Sequence, residues 1–350
     1  MADTARKAFV TTLVAVAVIV CALALWKVKI VVALVFLGLI YAAAMRPGVE
    51  RLAEHRVPRP VGVALHYLAL LGVIALLLWL VVPRAIDQVD QAIGGVPTSQ
   101  QELSQKAKHS TGLKHEFFAG LQKRLEKLPS AHNVVHMSIT IGTKALEVLV
   151  GIFFVFATAA YWIFERDKAI GFVSSLVARK HRQKVRDTWE LIDAKLGAFV
   201  RGQLLLIVFV ATMLSLAFWI IGVPFWLLLG IFGGIVEIVP VIGPLVAGLF
   251  AVGAGLTVSW HVALAAGIAV IAIRQFEDYV VIPRVMGHVT GISPLLVLVS
   301  VSAIGLLFGG FYVLLATPLT AVLVTLLDVI VRDKDPAEEE RPAVLFAKEA

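Results

Sequence analysis

Apolar and polar positions in this chain are segregated into long blocks. Apolar runs lie at 8–26, 28–45, 61–82, 145–164 and 204–222, and three longer stretches at 225–258, 261–282 and 294–331 are apolar but broken. About 20 apolar residues rising 1.5 Å each cross the hydrocarbon core of a bilayer. The pattern therefore predicts an all-α, polytopic transmembrane helical bundle of about eight spans. A transmembrane β-barrel would instead show alternating segments of about ten residues. Arg6 and Lys7 before the first run resemble the start of a signal peptide, but that run is long enough to span. Lys27-Val28-Lys29 then joins it to the second run, which predicts a tight helical hairpin.

Between the runs the periodicity changes. In 83–144, Leu113, Phe117, Leu121, Leu125 and Leu128 recur near helical spacing between the breakers Pro97 and Pro129. This predicts a small helical extramembrane segment. In 165–203, Val185, Trp189, Ile192, Leu196 and Val200 form one stripe, with Lys184, Arg186, Asp187 and Lys195 largely off it. Such a basic amphipathic helix is expected on the inner leaflet or against a neighbouring subunit. The polar end, 332–350, with Glu338-Glu339-Glu340 and two prolines, is expected to be a disordered tail. The domain reading is thus 1–82, 83–144, 145–164, 165–203, 204–331 and 332–350.

Two of the broken stretches are too long for one straight helix. Residues 225–258 contain Gly233-Gly234, Pro240, Gly243 and Pro244; residues 294–331 contain Gly305, Gly309-Gly310 and Pro318. Each fits either one kinked span or a hairpin of two short, re-entrant helices.

Composition agrees with the pattern. The chain has 350 residues, 59% hydrophobic and 16% charged, against about 25% charged in soluble domains. The net charge of +7 follows from where Lys and Arg sit. Arg46, Arg51, Arg56 and Arg59 follow the second run, and the most basic segment is 165–203. The positive-inside rule places both in the cytoplasm with the two termini, and 83–144 outside. The long external segment tolerates its lysines because long loops translocate largely regardless of charge. No recognition motif accompanies the basic charge, so nucleic acid is not an expected partner. With Cys21 the single cysteine, no disulfide framework or thiol metal site is expected, and no cofactor. The chain shows no phosphate-binding Gly-x4-Gly-Lys-Ser/Thr loop, no His-Glu-x-x-His and no Gly-x-Ser-x-Gly, which argues against an enzyme.

Candidate chemistry sits in the second half. Glu237 precedes Pro240, Gly243 and Pro244, where proline removes a helix hydrogen bond and disfavours helix in the residue before it. Open backbone at membrane depth survives only when buried in protein or lining a watery cavity, and an ionisable residue there is a functional candidate. The second constellation is Arg274, Gln275, Glu277 and Asp278, broken by Pro283 and Gly287. Arg274 stands three and four residues before the two carboxylates, so they can pair on one helical face. Unpaired, each charge at mid-span would cost about 2.5–3.5 kcal/mol.

Several of these segments jointly resemble the autoinducer-2 exporter family of bacterial inner-membrane permeases. They are Glu-Ile-Val-Pro-Val-Ile-Gly-Pro (237–244), Gln-Phe-Glu-Asp-Tyr-Val-Val-Ile-Pro-Arg-Val-Met-Gly (275–287), Ser-Pro-Leu-Leu-Val-Leu (293–298) and Leu-Phe-Gly-Gly-Phe-Tyr-Val-Leu-Leu-Ala-Thr-Pro-Leu-Thr-Ala-Val (307–322). Arg201-Gly202-Gln203 and Tyr161-Trp162-Ile163-Phe164 fit as well. The resemblance implies an eight-span transporter forming homo-oligomers, pentamers among them, linked to export of autoinducer-2 or to sodium or lithium exchange for protons. Ser293-Pro294 stands where the family usually has His-Pro, which puts proton coupling through that position in doubt.

The resulting expectation is a secondary transporter that exports a small polar solute, driven by an ion or proton gradient. Glu237, Arg274, Gln275, Glu277 and Asp278 would serve substrate or ion coupling, and Pro240, Gly243, Pro244, Pro283 and Gly287 would break the helices. A monovalent cation/proton antiporter and a non-transporting membrane scaffold are the rival readings.

Overall fold

A computed structural model describes residues 2–93, 131–239, 242–285 and 293–339, which are helices and connecting turns with no strand among them. In chain order the elements are α1 Ala2–Lys27, α2 Lys29–Glu54, α3 Arg59–Ile93, α4 Ala131–Ser175, a 3-10 turn Arg179–His181 and α5 Arg182–Ile221. There follow α6 Trp226–Val236, α7 Ile242–Leu256, α8 Trp260–Phe276, a π-helical turn Glu277–Val281, α9 Ile282–Val285, α10 Pro294–Phe308, α11 Gly310–Val313 and α12 Ala316–Ile330. Five helical stretches are long and apolar enough to cross a membrane: Phe9–Lys27, Lys29–Glu54, Arg59–Gln88, Gly142–Ser175 and Arg179–Ile221. With the shorter apolar helices that follow, they make a polytopic helical membrane bundle. Leu113, Phe117, Leu121, Leu125 and Leu128 lie outside the described residues, as do Pro240 and Gly287.

The helices outrun the apolar blocks. α2 continues through Pro47 and the arginines to Glu54, and α4 runs on past Arg166 to Ser175. The basic amphipathic stripe and the fifth apolar run form one 40-residue helix, α5. Its Ile192, Leu196 and Val200 pack on Ala33, Ile40 and Ala43 of α2 and on Leu315 beside α12, while Trp189 meets Trp162 of α4 at 5.5 Å. The stripe thus packs within its own chain, a surface that the sequence assigned to lipid or a second subunit. Gly222, at φ 82°, ends α5 by offering its N–H to the Phe218 and Trp219 carbonyls, a left-handed conformation that glycine adopts without penalty.

Both broken stretches resolve into paired short helices. α6 and α7, at 11 and 15 residues, rise about 17 and 22 Å, each less than the ~30 Å hydrocarbon core. They fold against each other, with Phe232 and Phe250 edge-on at 5.5 Å. α10 and α12 are each 15 residues long, separated by Gly309 and the short α11.

Small residues set how closely α6 approaches α5. A Cβ built on Gly234 would press on the Ile207 carbonyl and Ala211, and one on Gly230 would collide with Ser215. This is the close approach by which membrane helices associate without a hydrophobic drive. Gly234→Val is expected to destabilise the protein by about 1–3 kcal/mol through overpacking, read as a lower melting temperature in detergent. Gly253→Ala, where a Cβ meets open space, should leave the midpoint unchanged or raise it.

Residues 331–339 are docked, which departs for that part from the disordered 332–350 tail the sequence led us to expect; the rest of that segment lies outside the described residues. Lys184 pairs with Asp333 at 2.5 Å, Lys195 with Glu339 at 2.7 Å and Lys334 with Asp328 at 2.7 Å, and Pro336 is fully buried. Hydrogen bonding to Lys184 holds the Asp333 carboxyl below its ordinary pKa.

Candidate functional site

Glu237 closes α6 and is 5% exposed. The chain turns back immediately after it: the Gly243 N–H donates to the Val239 carbonyl at 2.9 Å, and a Cβ on Gly243 would collide with the Val236 carbonyl. Glycine is therefore required for α7 to start so close to the end of α6. Pro244 lies partly buried in the first turn of α7.

The end of α8 reaches the same place. Arg274 Nη1 donates to Glu237 Oε1 at 2.5 Å, a contact between residues 37 apart in sequence. The same nitrogen donates to Glu277 Oε2 at 3.2 Å, and Nη2 lies 2.9 Å from Asp278 Oδ1, with Nε donating to Asp278 Oδ2 at 3.1 Å. One guanidinium thus holds three carboxylates from two helices, using the rigid fork that arginine offers and lysine lacks. Glu277, 1% exposed, is the most enclosed of the three, and its Oε1 has no donor among the described residues. Glu277 and Asp278 open the π-helical turn, a distortion found often at functional sites. A π turn carries more residues than an α turn, and here both consecutive carboxylates reach the single arginine.

Not every expected residue joins this cluster. Gln275 is exposed on the other side of α8, and Pro283 lies exposed in α9. Ser293 accepts a hydrogen bond from the Leu296 N–H at 3.3 Å and caps α10, with Pro294 in its first turn. Its work is to start a helix.

One residue that the charge pattern did not single out does belong. Gln203 of α5 is buried and donates from Nε2 to the Glu237 carbonyl at 3.1 Å, satisfying an acceptor that the end of α6 leaves free. α5 therefore carries the turn that holds Glu237. Two negative charges remain in excess in this cluster when all four groups are ionised, since one cation faces three anions. A site of that composition favours protons or a cation.

Residues 13–332 match the family model described as AI-2E family transporter. The chain is 24% identical over 282 residues to the "Putative transport protein YrrI" of Bacillus subtilis (strain 168), which covers 79% of this chain and 80% of the relative. It is 27% identical over 286 residues to the "Putative transport protein YueF" of the same organism, 79% of this chain and 78% of the relative. The "Putative transport protein MT0215" of Mycobacterium tuberculosis (strain CDC 1551 / Oshkosh) is 27% identical over 311 residues, 84% of this chain and 82% of the relative.

Proposed function

The chain belongs to the AI-2E transporter family, a family of membrane transport proteins, and from that premise we propose a secondary transporter that exports a small polar solute across the bacterial inner membrane. The solute that the family's resemblance brings forward is autoinducer-2. Both termini face the cytoplasm in this reading, as the arginines of α2 and the basic start of α5 require under the positive-inside rule. Homo-oligomers belong to the same reading.

The observation that carries it is the excess of carboxylate around Arg274. An intramembrane acid is costly, and it persists where it marks an ion or substrate pathway. The Glu237–Arg274 contact joins the α6–α7 hairpin to α8, so loss or gain of a proton there changes how two short helices are held together. That is the element an alternating-access carrier needs, and short helices bracketing a polar site are the recurrent form of such carriers. A second reading, exchange of a monovalent cation for protons, is favoured by Glu277 Oε1, an enclosed acceptor with no donor.

The test is gradient-driven flux in proteoliposomes, with proton and sodium gradients imposed separately, for the native protein and Glu237→Gln. A charge-assisted hydrogen bond contributes roughly 1.5–3 kcal/mol, so flux should fall roughly tenfold or more while the protein still folds. Undiminished flux in the variant would reject Glu237 as the coupling group. Sodium-dependent proton movement without any solute would favour the exchanger.

A further inference from the structure

A second polar site lies at the arginine-rich end of the bundle. A cavity of about 40 Å³ opens between α2, α4 and α5 beside the start of α3, walled by Arg46, Arg59, Arg166 and Asp193 with Val49 and Trp162. Water needs about 10–15 Å³ of such space, so the cavity takes about three waters, or one tetrahedral oxyanion of similar bulk. It is too small for a sugar-sized solute.

The wall carries three arginines and three carboxylates, Glu50 and Asp167 besides Asp193, and they are unevenly paired. Arg166 is 7% exposed, gives Nε to Asp193 at 2.6 Å, and keeps an Nη2 with no acceptor. An enclosed guanidinium nitrogen without a partner is costly and calls for an acceptor. Asp193 does not supply it, being engaged by Arg166 Nε and approached by Arg46 Nη1 at 3.6 Å. The other two acids also line the cavity but reach solvent: Glu50 is half exposed and taken by Arg46 Nε at 2.6 Å, and Asp167 is 87% exposed. Arg59, exposed at the rim, has no carboxylate partner among the described residues. Arg166 Nη2 and the Arg59 guanidinium are therefore the donors on this wall without a carboxylate among the described residues. The floor is apolar, and Trp162 beside arginines is the pairing found at the membrane–water boundary.

We propose that this cavity binds a single phosphate group on Arg46, Arg59 and Arg166, carried by an anionic phospholipid or free in solution. Arginine forks match phosphate oxygens with two parallel hydrogen bonds. Basic pockets between membrane helices at the cytoplasmic side suit phospholipid headgroups. Phosphate there supplies the acceptor that Arg166 lacks and ties α2, α4 and the start of α3 together beside α5.

The test uses the full chain, delipidated in detergent, followed by thermal unfolding. Three additives are titrated: dioleoylphosphatidylglycerol, dioleoylglycerol with the same acyl chains and no phosphate, and inorganic phosphate. Phosphatidylglycerol should raise the midpoint and dioleoylglycerol should not. Inorganic phosphate acting at the same concentration assigns the site to the free ion; phosphate acting only far above it, or not at all, assigns the site to the lipid. Arg59→Gln, a change at an exposed rim residue, should weaken the half-saturating concentration about tenfold, the loss of one charge-assisted contact. Arg166→Lys, which keeps the charge and loses the fork, should weaken it as well. Equal shifts by the two lipids with none from phosphate would overturn the proposal, and so would an unchanged titration in Arg59→Gln.

Discussion

Arg274→Ala is expected to abolish transport. The substitution leaves Glu237, Glu277 and Asp278 facing one another with no counter-charge, although the native distances to the guanidinium are 2.5, 3.2 and 2.9 Å. Removing one partner of a buried ion pair costs about 3–5 kcal/mol, because the other partner keeps its desolvation penalty. The protein can avoid that cost only by protonating the acids or by letting the α6–α7 hairpin part from α8. Either outcome removes gradient-driven flux in proteoliposomes. Arg274→Lys should recover a small part, since one ammonium cannot span three carboxylates. Arg274→Ala combined with Glu277→Gln should recover folding yield, with one buried anion fewer, but not flux. Transport at the native rate in Arg274→Ala would show that the carboxylates need no cation and that the cluster takes no part in coupling.

Asp193→Ala is expected to be the most destabilising single change outside that cluster. Asp193 is the acceptor for Arg166 at 2.6 Å, and both side chains are about nine-tenths buried. Without it the Arg166 guanidinium stays enclosed with only the 3.4 Å contact to exposed Asp167. The loss should again be about 3–5 kcal/mol. Arg46→Ala provides the comparison: Arg46 is one-third exposed and its close partner Glu50 half exposed, so its loss should stay below about 1 kcal/mol. Denaturation of the two variants in the same detergent checks the ranking, and equal losses would mean that the pair is solvated.

The hydropathy blocks located the membrane helices but not their ends. Apolar runs report where lipid touches the chain, whereas α2, α4 and α5 continue past the charges as long as their backbone hydrogen bonds continue. The i+3 and i+4 pairing of Arg274 with Glu277 and Asp278 was legible because it lies within one turn. The Glu237–Arg274 contact was not, since pairing between helices 37 residues apart leaves no periodic trace in one sequence. Gln203 was hidden for a simpler reason: it is neutral, closes the basic segment just before an apolar run, and stood out only within the Arg201-Gly202-Gln203 segment of the family resemblance. Arg166 lies in the basic segment that the charge pattern places in the cytoplasm, yet the helix turns it inward and leaves Asp167 exposed. Acidic residues and prolines made the end of the chain read as unstructured. Residues 333–339 of it are held by Lys184 and Lys195, about 150 residues earlier.

The wider turn at Glu277–Val281 holds one residue more than an α-helical turn, which makes the chain sensitive to where its length changes. A single residue excised there leaves an α-helix running straight from α8 into α9, whereas one excised from α8 itself would swing everything downstream by about 100° around the axis. Arg284 would then face a different side of the bundle, although no side chain had been chemically altered. A substitution scan would pass over this vulnerability, and only a one-codon deletion series would expose it.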